Sequence, residues 1–243
     1  TVGQILIPLK NARLVALSLA ANFVLAPLAA FTLWRMLGLD EPFGIGLLLC
    51  GLAAGEPFLI KLAEFAKADL GFAVGLMVLL MVVTVGYVPV TLPLFLQGTA
   101  VNPLKIASSL IVLMLIPLGV GLALRSRGPV VAGRLRPAVG WVSNVSMVLV
   151  VVLTIAAHFR SVLSVFGTFA ILAAVLYTVV CFGIGWLLRG SGKATRGVLA
   201  LGTAQRNAAA AFVVAGQNFD DPRVIVMITV VLMSTGPTCR VVS

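Results

Sequence analysis

The sequence predicts an all-α polytopic membrane protein in which two of the membrane-crossing helices are broken. Three observations lead there. Of 243 residues, 61% are hydrophobic and only 10% charged, too little charge to wet the surface of a water-soluble globule of this length. The apolar residues fall in runs of about 20, the length that crosses a bilayer as helix. Two of those runs are interrupted by polar residues at mid-length, at "AAGEPF" and "TAQRNA".

Eight apolar segments follow one another. Span A covers about Ala12–Gly38, B Phe43–Asp69, C Leu70–Leu96 and D Pro103–Leu124; E covers Gly140–His158, F Leu163–Leu188, G Ala194–Gln217 and H Pro222–Cys239. Eight crossings put both ends of the chain on one side. With loops sorted that way, twelve Lys and Arg fall on that side and only Arg35, Lys105, Arg160 and Arg223 on the other. The excess marks the cytoplasmic face, so a cell-membrane protein with both ends of this chain cytoplasmic is expected.

Spans B and G do not read as continuous helices. In B, small residues lead to Glu56 and Pro57, and a mid-helix proline removes a donor and clashes with the preceding turn, so the helix should break near residues 55–57. In G, Gln205, Arg206 and Asn207 stand between two alanine-rich halves. Polar backbone at membrane depth persists only where protein or a water-filled cavity surrounds it, so both breaks should face the interior. Each broken span is second in a triplet, A-B-C and F-G-H, and the triplets run through the membrane in opposite directions. Paired broken helices in inverted repeats place a binding site where the breaks meet.

The expected organisation is therefore residues 1–96 as the first-repeat core helices, 97–160 as two flanking helices (D, E), and 161–243 as the second-repeat core helices. Symmetry asks for two further spans ahead of residue 1, eight being visible of an expected ten. The terminal "STGPTCRVVS" should break the last helix at Gly236 and Pro237.

Other function classes find little support. The net charge of +10 sits in short clusters between apolar runs, without the interleaved aromatics of a nucleic-acid surface. Cys50, Cys181 and Cys239 are widely separated and odd in number, so neither a disulfide framework nor a metal site is indicated. With one His and no nucleophile beside a base, enzyme function is not expected. The start, "TVGQILIPLKNARLVALSLA", lacks a signal-peptide cleavage pattern.

The stretches "FGIGLLLCGLAAGEPFLIKLAEFAKADLGFAVGLMVLLMVVTVGYVPVTLPLFL" and "GTAQRNAAAAFVVAGQNFDDPRVIVMI" resemble the two crossover regions of the bile acid:sodium symporter family. The likeness implies ten spans, a core domain with two crossed, unwound helices, and a panel domain of which D and E would be half. It also implies sodium as coupling ion, yet the ligand positions depart from the family pattern. Relatives carry Gly-Gly-Thr-Ala-Ser-Asn at the first crossing, and its last two residues fall on Glu56 and Pro57. At the second crossing their sodium-binding Glu falls on Gly202 and a Gln on Arg206, with only Asn207 kept. Where they place hydroxyls on span C, this chain reads "GLMVLLM" from Gly75 to Met81. Sodium prefers hard oxygen ligands, so the resemblance points to a sodium site that these residues do not rebuild; no other cofactor is implied.

An arginine at mid-bilayer costs about 3 kcal/mol on insertion scales, and Glu56 is the carboxylate at matching depth. An ion pair between Glu56 and Arg206, standing where relatives hold sodium, is therefore expected. Alone, either residue reads equally well as structural; together, at matching breaks, they favour a site. Thr203, Gln205 and Asn207 are its natural companions. Weaker candidates are Asn22, which reads foremost as a helix-to-helix hydrogen bond, and Gln217 and Asn218, which suit a helix cap. Pro27, Pro89, Pro93 and Pro117 read as kinks. The resulting reading is a secondary transporter of a small organic anion, embedded in lipid. The alternatives are a metalloid permease of the same superfamily, with Cys50 as thiol ligand, and a transport-inactive relative that senses a ligand or assembles with partners.

Overall fold

A computed structural model describes residues 11–96, 101–188 and 192–235. Within them the chain forms helices and no strands. They are α1 (Ala12–Met36), α2 (Glu41–Leu52), α3 (Leu59–Phe65), α4 (Leu70–Phe95), α5 (Pro103–Arg127), α6 (Pro129–Ala157), α7 (Phe159–Ser164), α8 (Ala170–Leu187), α9 (Lys193–Ala204), α10 (Ala208–Asn218) and α11 (Pro222–Ser234). Six stretches are long and apolar enough to cross a membrane, α9 and α10 counting as one, while α2 and α11 are shorter. Together they make an all-α polytopic membrane protein.

Helix starts follow the sequence. Asn11, Asp69, Asn102 and Asp221 each place a side-chain oxygen on an amide of the following first turn, satisfying donors that the helix itself leaves free. Pro103, Pro129 and Pro222 occupy the first turn, where no amide is needed. Pro89 and Pro93 are accommodated inside α4.

The centre of the molecule is α2, whose residues from Phe43 to Leu52 are all buried. It packs between α1, α11 and the ends of α4 and α10. Small residues permit such contacts: on α8, a Cβ at Gly185 would lie 2.3 Å from the Leu199 carbonyl oxygen of α9. At the other extreme α6 is exposed along nearly its whole length, with Thr154 its one buried residue. Its length and apolar composition are those of a helix that crosses a membrane.

Three boundaries differ from the sequence expectation. Span E begins at Pro129 rather than Gly140, so Arg134 and Arg136 lie on α6 and not in a loop. Only Gly128 separates it from α5, its amide closing that helix on the Leu124 carbonyl while Pro129 opens the next. Span F is divided: α7 and a 3-10 turn (Val165–Gly167) precede α8, because Thr168 is extended and its hydroxyl accepts the Ala170 amide. In span B the helix ends at Leu52, ahead of the proline, with Ala53 already extended at φ −92° and ψ 112°. The expected break at Gly236 and Pro237, and Cys239, lie outside the described residues.

Candidate functional site: the crossing of two interrupted helices

The two interruptions meet. Chain between α2 and α3 passes chain between α9 and α10, and the backbones bond directly: the Asn207 amide donates to the Ala53 carbonyl at 3.0 Å. The Asn207 side chain completes the join. Its Nδ2 donates to the Gly55 and Ala54 carbonyls at 3.1 and 3.3 Å, while its Oδ1 caps α10 by accepting the Ala210 amide at 3.0 Å. One asparagine thus serves acceptors of one break and donors of the other.

Gly55 is required by the same geometry. Its φ of +83° is left-handed, and an added Cβ would lie 2.4 Å from the Met81 backbone nitrogen on α4. The break is pressed against α4 at backbone contact, where any side chain collides. One residue earlier, Thr84 of α4 closes Ala54: its hydroxyl donates to the Ala54 carbonyl and accepts the Ala54 amide, both at 3.0 Å. Sequence reading passed over Thr84; its signal is a hydroxyl in an otherwise apolar stretch, "MVVTVG". Thr84→Val keeps the shape, orphans the buried Ala54 amide and leaves the Ala54 carbonyl only the longer bond from Asn207, so a loss of about 2 kcal/mol in unfolding free energy is expected. Thr84→Ser should retain most of the stability, as thermal or denaturant unfolding in detergent will show.

Arg206 is buried, with 3% of its surface exposed, and it does not pair with Glu56. Nε donates to the Cys50 carbonyl at 2.9 Å. One terminal nitrogen donates to Asn22 Oδ1 at 2.7 Å and the Thr203 carbonyl at 3.3 Å; the other donates to the Gly51 carbonyl at 2.6 Å and the Asn22 carbonyl at 3.3 Å. The expected ion pair is thus replaced by a cage of neutral oxygens. Its physical origin is the ends of two helices. Cys50 and Gly51 lie in the last turn of α2 and Thr203 in the last turn of α9, where carbonyls lack amide partners and the helix dipoles present negative charge. A guanidinium with five donors in a fixed fork answers both demands.

The third wall comes from α1. At Ala21–Leu25 this helix widens to a π turn, the Ala26 amide reaching back to Ala21 instead of Asn22. Pro27, next along, has no amide to give. The carbonyls of Asn22 and Phe23 are therefore released: Arg206 takes the first, and the Tyr87 hydroxyl of α4 takes the second. Asn22, weakly favoured from sequence, is consequently part of the cage through both its amide oxygen and its backbone. Its Nδ2 donates to the Ser18 carbonyl and approaches Thr203 Oγ1 at 3.5 Å.

Glu56 turns the other way, toward the start of α10, where Oε2 accepts the Ala208 amide at 3.2 Å. It is partly exposed, Pro57 beside it is exposed, and Ala209 is exposed between two buried alanines. The crossing thus has a closed side holding Arg206 and an open side holding Glu56. Gln205 is buried at the crossing, with Oε1 lacking a hydrogen-bond partner. Gln217 and Asn218 are placed elsewhere, at the far end of α10: Gln217 accepts from Lys105 Nζ through its carbonyl (3.1 Å) and meets Ser109 through Oε1 (2.6 Å). Asn218 Nδ2 donates to Val214.

At Gly202 the neighbours are apolar. A Cβ there would meet Leu76 and Leu59 methyls at 3.2 and 3.3 Å, so that space is filled with hydrocarbon. The Cys50 thiol is buried, and it is the carbonyl of that residue that enters the cage.

Fold and site together define an all-α membrane protein of the kind whose broken helices cross at a polar centre. Comparison with protein families matches residues 2–165 to the Sodium Bile acid symporter family, and the chain belongs to that family. It is accordingly a multi-pass membrane protein and, at family level, a bile-acid-symporter-like transporter; the members of that family are transporters rather than enzymes. The match contains the first interruption but ends before the second, so Arg206 and Asn207 stand beyond it. No curated protein matches the chain.

Proposed function

We propose that the protein is a secondary transporter of a small organic anion, working by alternating access, in which Arg206 does the structural work of a coupling cation. The observation that carries this reading is the cage itself. Five hydrogen bonds from one guanidinium join the carbonyl ends of α2 and α9 to α1, which are hard oxygen acceptors of the sort that hold an alkali cation. A tethered cation is always present, so the partial negative charge of the carbonyl ends is met without sodium. Because all its donors are engaged and it is buried, Arg206 offers no free N–H to a ligand. The anion is instead matched to the open side of the crossing, at the first turn of α10.

Uptake of a panel of radiolabelled small organic anions, as choline salts, into vesicles containing the purified protein tests this reading. Equal rates with an inward sodium gradient and with choline in its place are expected; uptake that requires sodium would overturn it.

A further inference from the structure

The open side of the crossing holds a carboxylate where an anionic substrate would be placed. Glu56 Oε2 rests on the Ala208 amide in the first turn of α10, a helix of eleven residues carrying no charged side chain. Ala209, at the same turn, is exposed, so this helix end faces open space. The group already there is an anion belonging to the chain.

Among the described residues no cation pairs with Glu56. The ion pairs among the described residues join Arg223 to Asp40 and to Asp221, and Arg206 is committed to its cage. The elements packed around the break are similarly occupied. On α4, Tyr87 donates to Phe23 and Asp69 caps Phe72. On α9 the cations Lys193 and Arg196 stand in the first turn, three helical turns from the break, and Arg196 is bonded to the Trp186 carbonyl. On α2, Glu41 begins the helix and Cys50 is buried near its end. On α3 itself, Lys61 donates to Asn144 of α6, and Glu64 is exposed.

We propose that Glu56 is the proton-binding group of the transport cycle, occupying the first turn of α10 while the carrier is empty and, once protonated, ceding that turn to the carboxylate of the substrate. This rests on the anion-transporter reading above. The chemistry balances: one proton from the aqueous side adds to a Glu56 oxygen, no other covalent bond is made or broken, and one substrate carboxylate takes the place of the Glu56 carboxylate on the Ala208 N–H, which is shared with the Arg206 carbonyl at 2.9 Å. The helix end sees one negative charge in both states, from Glu56 when empty and from the substrate when loaded. A carrier that keeps the same charge empty and loaded crosses the membrane equally well in both forms, which gives electroneutral uptake of one proton per monovalent anion. A proton, unlike sodium, needs no cage of oxygens, which agrees with a crossing whose oxygens Arg206 has taken.

Proton binding can be read without knowing the substrate. Purified protein in phosphatidylcholine vesicles, in choline buffer, is acidified from about pH 8 to about pH 5, the span over which a carboxyl in a low-dielectric site changes form, while the infrared C=O stretch of protonated carboxyl is recorded. The wild type should gain a band that Glu56→Gln loses, by one carboxyl equivalent. Ala208→Pro, which removes the amide that Glu56 shares with the Arg206 carbonyl at a position where proline suits a helix, should bring the same band in with less acid. Identical spectra for wild type and Glu56→Gln, or an Ala208→Pro titration superimposable on wild type, would overturn the proposal. If Glu56→Gln does not fold, the Ala208→Pro comparison decides alone. The two readings fail separately. A Glu56 band with no uptake of any anion at any pH defeats the anion-transporter reading, whereas anion uptake indifferent to an imposed pH gradient defeats the proton inference.

Discussion

Arg206→Met should cost on the order of 4 kcal/mol in unfolding free energy, the sum of several buried acceptors each left wanting at about 1–3 kcal/mol. The substitution keeps length and apolar stem but removes all five donors from the carbonyls of Cys50, Gly51, Thr203 and Asn22 and from the Asn22 amide oxygen. Among the described residues no other side chain donates to these oxygens, and the residue at the centre of the cage is 3% exposed. A smaller replacement should behave differently. Arg206→Ala opens a cavity walled by backbone oxygens, and its thermal midpoint should rise when sodium chloride replaces choline chloride, a response the wild type should lack. Thermal unfolding of the two proteins in both salts is the check. A wild-type-like midpoint for Arg206→Met would show that the cage is not what joins the three helices.

The second large effect is expected at Gly55. Gly55→Ala combines a left-handed backbone, at φ +83°, with a Cβ 2.4 Å from Met81 N and 2.8 Å from Met81 Cα. Those atoms are backbone of a packed helix, so no rotamer change relieves the contact. Strain and overpacking together should cost about 4 kcal/mol. The break would have to lift off α4, which would also pull Ala54 from Thr84 and the Ala53 and Gly55 carbonyls from Asn207. Expression with a monodisperse elution profile and an unaltered thermal midpoint would contradict this account of why the break follows the path it does.

The class of fold was legible because bilayer length and charge scarcity are properties of whole segments, and so were both interruptions, because Pro57 and the Gln205–Asn207 triplet mark them directly. Asn207 was legible as a residue of the crossing for the same reason. What could not be read was the direction in which side chains leave the break. Glu56 and Arg206 are opposite in charge and alike in depth, which suggests a pair, but attraction at a distance loses to backbone acceptors already in place. The carbonyls of Cys50, Gly51 and Thr203 belong to helix ends whose positions are set by folding, and backbone oxygens leave no trace in a residue pattern. Asn22 illustrates the point. A lone asparagine on an apolar span reads as a helix contact, and only the π turn together with Pro27 shows that its carbonyl is free. Pro27, read as a kink, matters here because it withholds an amide. The start of α6 was missed because arginine, leucine and valine continue a helix readily whether or not lipid surrounds it.

Sodium coupling is where family membership and chain chemistry diverge. The family is named for sodium symport, while in this chain the space beside Gly202 is filled by Leu59 and Leu76 and the crossing's oxygens are bonded to Arg206. On the proposed reading both features act on the same centre, hydrocarbon beside Gly202 and a resident charge at Arg206, and that conjunction is the reason to regard the arginine as a replacement for the ion.

Direct binding of radioactive sodium to the purified protein, measured beside Arg206→Ala in the same detergent, tests that claim most closely. The cage predicts no saturable sodium binding to the wild type and its appearance when the guanidinium is removed. Saturable, stoichiometric binding to the wild type would contradict it.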